Sequence, residues 1–209
     1  METNRISFLD FRQQLLAFDV FSTGDILKIF PRFDVRRLFE WQQKGYVEKL
    51  ANRWYRFMDR LLDEETAWFI ANRIYQPSYI SLETALSHYG LIPEGVFSIT
   101  SVTTNKTRSI ETPNGACEYR TLKPSLYFGY SVLRKNKYPV LLADVEKALL
   151  DYFYFHPELK VNEDFDALRL NVHVALSAVD EGKMERYLAI FNSNALNARV
   201  KIFKKYLHA

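Results

Sequence analysis

Between Ser22 and Met58 the residues that start, stop and turn a chain follow one another so closely that few arrangements remain open. S-T-G-D at 22–25 sets an acidic residue three positions after a serine, the pattern of a capping box, and Pro31 stops the short helix that follows. Asp34 is a good N-cap and Gly45 a good terminator, so a further helix is expected across RRLFEWQQKG. In it Val35, Leu38 and Phe39 share one face by their three- and four-residue spacing and are expected to anchor it. Arg36, Glu40 and Gln43 then form one outward stripe, and Arg37 and Lys44 another. YVEKL and WYRFM, on either side of Ala51-Asn52-Arg53, read as two short strands around a turn. Upstream, Phe8, Phe11, Leu15 and Phe18 recur at helical steps and predict a first helix over about residues 7 to 18.

The order helix, short helix, helix, hairpin is that of a winged helix-turn-helix, assigned to residues 1–60. Such a module can read DNA, hold a protein partner or serve as plain scaffold. Charge favours the first, because it comes in blocks. Residues 32–60 hold 8 basic and 4 acidic side chains and residues 99–139 hold 7 and 2, whereas 61–98 hold 1 and 5. Blocks of this kind suit polyanion-facing surfaces. Arg36 and Arg37 fall in the first turn of the expected reading helix, where a guanidinium can grip guanine or phosphate, and Gln43 can contact adenine. Arg53 at the hairpin tip suits a phosphate or a narrow minor groove. Trp41 and Trp54 are expected to pack between helix and hairpin.

From Leu61 the pattern changes, and residues 61–209 are expected to form an α+β domain with a small antiparallel sheet. DEETAWFIANRIY reads as its first helix or a linker helix. Ser81 and Gly90 bracket a helix that buries Leu82, Ala85, Leu86 and Tyr89. Short runs rich in Thr, Val, Ile, Tyr and Phe (FSITSVT, RSIET, CEYRTLK, LYFGYSVL) predict strands, with a turn at PNG 113–115. ADVEKALLDYFYF returns to helical spacing through Val145, Leu149 and Tyr152, and two or three helices follow Pro157.

Several function classes find no support in the residues. The single cysteine, Cys117, allows no internal disulfide, and the charged N-terminus with no long apolar run predicts a soluble, cytoplasmic protein with no membrane contact. His88, His156, His173 and His208 have no metal-ligand spacing, so no metal and no cofactor are expected. No Gly-rich phosphate loop occurs, and Ser87 beside His88 cannot make a dyad because neighbouring helical side chains diverge by about 100°. Asp144, Glu146 and Asp151 share one helical region, where Glu146 with Lys147 reads as a solvated face or a local ion pair. No enzymatic role is expected.

Beyond pattern, PSYISLETALSHYGLIPE, followed by FSITSVT and later by LADVEKALLDYFY, resembles the AbiEi family of abortive-infection antitoxins, the regulators of type IV toxin–antitoxin systems. VFSTGDI and GYVEKLANRWYRF look like that family's N-terminal winged helix, and the resemblance spans roughly residues 10 to 155. It implies a transcriptional regulator that binds double-stranded DNA at its own operator, and a C-terminal domain that counters a cognate nucleotidyltransferase-like toxin. Carried over by position, DNA contact falls on Ser22, Thr23, Arg36, Arg37, Gln43 and Lys44, and on Asn52 and Arg53 of the wing. The family often has a glycine in the wing turn before the aromatic pair, where this chain has Arg53 before Trp54. The second basic block, Lys106, Arg108, Arg120, Lys123, Arg134, Lys135 and Lys137, is either a second nucleic-acid surface, a contact with an acidic toxin, or a solvated sheet face with edge-protecting charges.

Overall fold

A computed structural model describes residues 6–60, 63–93, 98–134 and 138–208. It divides into two compact units, Met1–Asp63 and Glu64–Ala209.

In the first unit α1 (Phe8–Gln14) is followed by β1 (Val20–Ser22), α2 (Thr23–Ile29), α3 (Arg37–Gln43), β2 (Val47–Ala51) and β3 (Trp54–Phe57). Ser22 caps α2 through the expected box: its hydroxyl accepts from the Asp25 N–H while the Asp25 carboxylate accepts from the Ser22 N–H. The hairpin is one strand richer than the sequence suggested, because β1 pairs antiparallel with β3 and gives a sheet ordered β1-β3-β2. Phe11, Leu15, Phe21, Ile26, Phe33, Leu38, Trp41, Val47 and Phe57 form the core. Phe11 stands at its centre, with ring centroids 4.6 Å from Trp41, 5.3 Å from Phe33 and 5.8 Å from Phe21.

Three expectations fail here. The first helix stops at Gln14, and Phe18 lies in the turn beyond it, 40% exposed. The third does not start on Asp34. Residues 34–36 make a tight turn in which Asp34 Oδ1 accepts from the Arg36 N–H at 3.0 Å, an Asx-type bond that competes with a helix cap. α3 is also turned about its axis by roughly 80° from the expected phase. Leu38 and Trp41 are buried at 1% and 3%, whereas Val35 and Phe39 are 45% and 63% exposed. The apolar residues Leu38, Phe39 and Trp41 spread over about 160° of the helix, so one edge is left out, and the indole, which buries the most area, takes the core.

The second unit is built on a six-stranded mixed sheet rather than a small antiparallel one. Its strands are β4 (Ser78–Ile80), β5 (Ile99–Thr103), β6 (Arg108–Thr112), β7 (Gly115–Thr121), β8 (Tyr130–Leu133) and β9 (Val140–Ala143), in the order β6-β7-β5-β4-β9-β8. β4 pairs parallel with β9 and β5 parallel with β7, the other ladders being antiparallel. Parallel ladders need crossovers, which the alternating pattern of short runs did not reveal. The PNG turn does join β6 to β7, with Gly115 at φ +106°.

One face of the sheet packs on α4 (Glu64–Ile74), where Tyr119 OH donates to the Ala71 carbonyl at 2.7 Å and Asn72 Oδ1 accepts from the Leu141 N–H at 2.7 Å. The other face holds α5 (Leu82–His88) and α6 (Val145–Phe155), with Tyr89 OH donating to the Ala143 carbonyl at 2.8 Å. After α6 come α7 (Asn162–Ala167), α8 (Val172–Ala178), α9 (Glu181–Phe191) and α10 (Asn194–Leu207), four helices where two or three were expected. They leave α6 buried on nearly every side, with Phe153 against Phe165 and Phe203.

Candidate functional site

Two groups of charged residues stand out, one on each unit. The first lies on α3 and the β2–β3 turn. With Leu38 and Trp41 turned inward, Arg36, Phe39, Glu40 and Gln43 form the outward stripe and Lys44 flanks it, all exposed. The Arg36 side chain is 88% exposed and bonds the Asp34 carboxylate at 2.8 to 3.1 Å, which lowers the Asp34 pKa to about 2. Arg37 is differently placed. It is half-buried, donates to the Ile6 carbonyl and lies with its guanidinium 4.8 Å from the Trp41 ring centroid, so it braces α3 against the N-terminal segment.

Asn52 and Arg53 form the hairpin tip, both exposed, with Arg53 in the left-handed region at φ +65°. A non-glycine residue there carries strain on the order of 1 to 3 kcal/mol and persists only where its surroundings hold it. Here the Thr23 N–H donates to the Arg53 carbonyl at 2.9 Å. That bond fixes the tip beside the start of α2 and brings Thr23, Ser22, Asn52 and Arg53 together. Ser22 and Thr23 are half-buried, and the Ser22 hydroxyl is engaged with Asp25 at 2.7 Å. Arg56 faces Glu48 at 2.6 Å and the Arg60 carbonyl at 2.9 Å, so it serves the sheet. Trp41 is core, as expected, while Trp54 is only half-buried.

The second basic block does not form one surface. Arg108 pairs with Tyr119 and shares its face of the sheet, whereas the next residue on β7, Arg120, points to the opposite face. Lys106 and Lys123 are exposed near that edge of the sheet. Arg134 follows β8, the other edge, five strand positions and on the order of 24 Å away. Lys135 and Lys137 lie outside the described residues.

The second group is one that reading the sequence missed. Glu146 and Lys147 are not a solvated face: Glu146 is 3% exposed, and Lys147 and Asp151, one turn apart on α6, are 0% exposed. Lys147 Nζ donates to one oxygen of Asp151 and, at 2.7 Å, to Tyr79 OH. The other Asp151 oxygen accepts from Tyr79 OH and from Ser81 Oγ, each at 2.9 Å. The rings of Phe191, Phe128 and Tyr79 stand 5.0, 5.2 and 5.3 Å from the ammonium. Burial pushes the Asp151 carboxyl up and the Lys147 ammonium down, against the mutual attraction that favours both charges. Ser81, expected as a helix cap, gives its hydroxyl to this cluster instead, and Leu82 beside it has φ +55°.

Around the cluster, Gly129 at φ +72° lets the chain pass so near that a Cβ there would lie 3.0 Å from Lys147 and Tyr187 carbons. At the start of α6, Lys183 bridges Asp144 at 3.1 Å and Glu146 at 3.0 Å, and Glu146 Oε1 accepts from the Asp180 N–H at 2.9 Å. Every side-chain polar atom of the central quartet is engaged within it, and no side chain of it reaches solvent. That arrangement joins α6 to β4 and offers no open position to a reactant. A helix apolar on all sides is a buried one, and the run ALLDYFYF carried that signal. Among the described residues no group of three or more His, Cys, Asp or Glu side chains is placed to hold a metal, and no helix is long and apolar enough to cross a membrane.

A scan against protein-family models finds none that matches the chain, and a search of curated proteins likewise returns no match.

Proposed function

We propose that this protein is a DNA-binding transcriptional regulator and antitoxin of the type IV toxin–antitoxin kind. In this reading the first unit is a winged helix: α2 and α3 are the helix-turn-helix, α3 enters the major groove and the β2–β3 hairpin is the wing. It binds double-stranded DNA at its own operator in the cytoplasm. The second unit counters a nucleotidyltransferase-like toxin.

The observation that carries the reading is the placing of Arg36, Gln43 and Lys44 on the outer face of α3, with Asn52 and Arg53 at a hairpin tip tied to α2 by Thr23. An arginine kept in a left-handed position that glycine would fill without strain points to a use for its charge. The order of elements and the resemblance to AbiEi antitoxins add to it. Base contact then falls on Arg36 and Gln43, backbone contact on Lys44, Asn52 and Arg53, and a bracing role on Ser22, Thr23 and Arg37.

A titration of the full chain with its own upstream DNA and a scrambled duplex, at two salt concentrations, tests this. Sequence-preferring binding that weakens steeply with salt is expected. No binding at low salt overturns it. The second reading, a winged-helix adaptor for a protein partner, draws on Val35 and Phe39, 45% and 63% exposed on or beside α3. It predicts partner capture with little salt dependence.

A further inference from the structure

Phe39 is the one aromatic side chain in α3 that leaves the core, at 63% exposure, although Trp41 two positions on is buried at 3%. Its place on the helix is between Arg36 and Gln43, three and four residues away, so the ring lies within the polar stripe. A phenylalanine held in water gains nothing for the fold and loses on its own solvation. Hydrogen-bonding groups on both sides make the stripe a poor fit to an apolar protein surface, which would strand them unpaired. They fit the floor of the DNA major groove, where acceptors and donors alternate with one apolar feature, the thymine 5-methyl group.

We infer that Phe39 is a specificity-determining residue that packs on a thymine methyl, while Arg36 and Gln43 bond the flanking base edges. This rests on the DNA-binding reading of α3 and names what that helix selects. The neighbours agree: Val35, 45% exposed, lies beside Phe39 on the same side of the helix and can extend the apolar contact, and the Lys44 ammonium is free to meet a phosphate at the rim. Because Leu38 and Trp41 hold α3 to the core without Phe39, the ring can be removed with the unit still folded.

The test starts from a random duplex library selected on the full-length protein. In the tightest duplex recovered, each thymine is replaced singly by deoxyuridine, which removes the methyl and keeps every hydrogen bond. One or two positions are expected to lose about fourfold in affinity, the worth of one buried methyl-sized group. The variant Phe39→Ala is expected to bind more weakly and to lose the distinction between thymine and deoxyuridine at those positions, while Phe39→Leu keeps part of it. Circular dichroism of both variants matching the parent confirms that folding is intact. Affinity indifferent to every replacement, or the same loss in Phe39→Ala as in the parent, overturns the inference and leaves the DNA reading standing. If dimerisation is found that Phe39→Ala abolishes, with no thymine effect, the ring belongs to a contact between copies and the inference falls. A library that shows no enrichment overturns both.

Discussion

Arg36 and Lys147 each stand at the start of a helix and pair with a carboxylate close by in the chain, Asp34 and Asp151, yet one side chain is 88% exposed and the other 0%. A surface cation costs little to keep in water and does little for stability, its pair with Asp34 included. It gains only when an anion arrives. A buried cation has lost its hydration, which costs several kcal/mol per ion, and persists only where a counter-charge and hydrogen bonds surround it. The two units therefore hold charge in opposite ways: the first leaves it in solvent, the second consumes it inside the structure. The same residue types give a solvated face in one place and a fastening between α6 and β4 in the other.

The largest expected effect breaks the fastening. Asp151→Ala leaves Lys147 without its counter-charge and should cost about 3 to 5 kcal/mol, read from urea unfolding monitored by circular dichroism. Replacing the pair together, Lys147→Met with Asp151→Leu, should recover more than half of that loss. If the single and double variants were equally unstable, the stranded charge would not be the cause. Next is Gly129→Ala, where the new methyl meets Lys147 and Tyr187 in a backbone region that disfavours alanine. A loss of about 1 to 3 kcal/mol is expected. An unchanged midpoint would mean that the loop over the cluster yields easily.

On the first unit the sign reverses. Arg53→Gly should stabilise by up to about 1 kcal/mol, since glycine fills φ +65° without strain, and should lower the salt dependence of DNA binding by about one unit of slope. A variant that lost stability, or bound DNA with the parental salt slope, would remove the case for strain kept for function. The smallest effect is a pH dependence in the second unit. Bonding to Glu83, joined by Glu158 and opposed by burial, raises the pKa of His156. Its folded pKa therefore lies above the unfolded value near 6.5, so the added stability is full below that value and fades as pH rises through the folded pKa. The unfolding midpoint should fall as pH rises from the unfolded value through the folded pKa, and His156→Gln should flatten that change.

Residue chemistry that acts locally was legible in the sequence. The Ser22–Asp25 box, the Asn52-Arg53 turn, Gly45 and Gly90 at positive φ, and the PNG turn each depend on a few neighbouring residues. What depends on packing was not. In and just before α3 the residues 35, 38, 39 and 41 are all apolar and more than one face satisfies helical spacing, so only the competition between Trp41 and Phe39 for the core decides the phase. In α6 the spacing of Lys147 and Asp151 is equally that of a surface ion pair, and their burial follows from β4 and α9 covering them, elements far away in the chain. The mixed sheet was hidden for the same reason, since partners such as Ile80 and Leu142 announce themselves by no local signal.

That last pairing has a consequence for how the protein is made. Ile80 and Leu142 meet in a parallel ladder at the middle of the sheet, about 60 positions apart along the chain. As residues emerge one by one, β4 must wait through the synthesis of α5 and four further strands before β9 exists to complete it, while the first unit needs nothing beyond Phe57 for its own strand pairing. The first unit can thus fold early, and the second passes through an interval in which the apolar strand around Tyr79 and Ile80 has one bare side. Misassembly, where it occurs, should begin there.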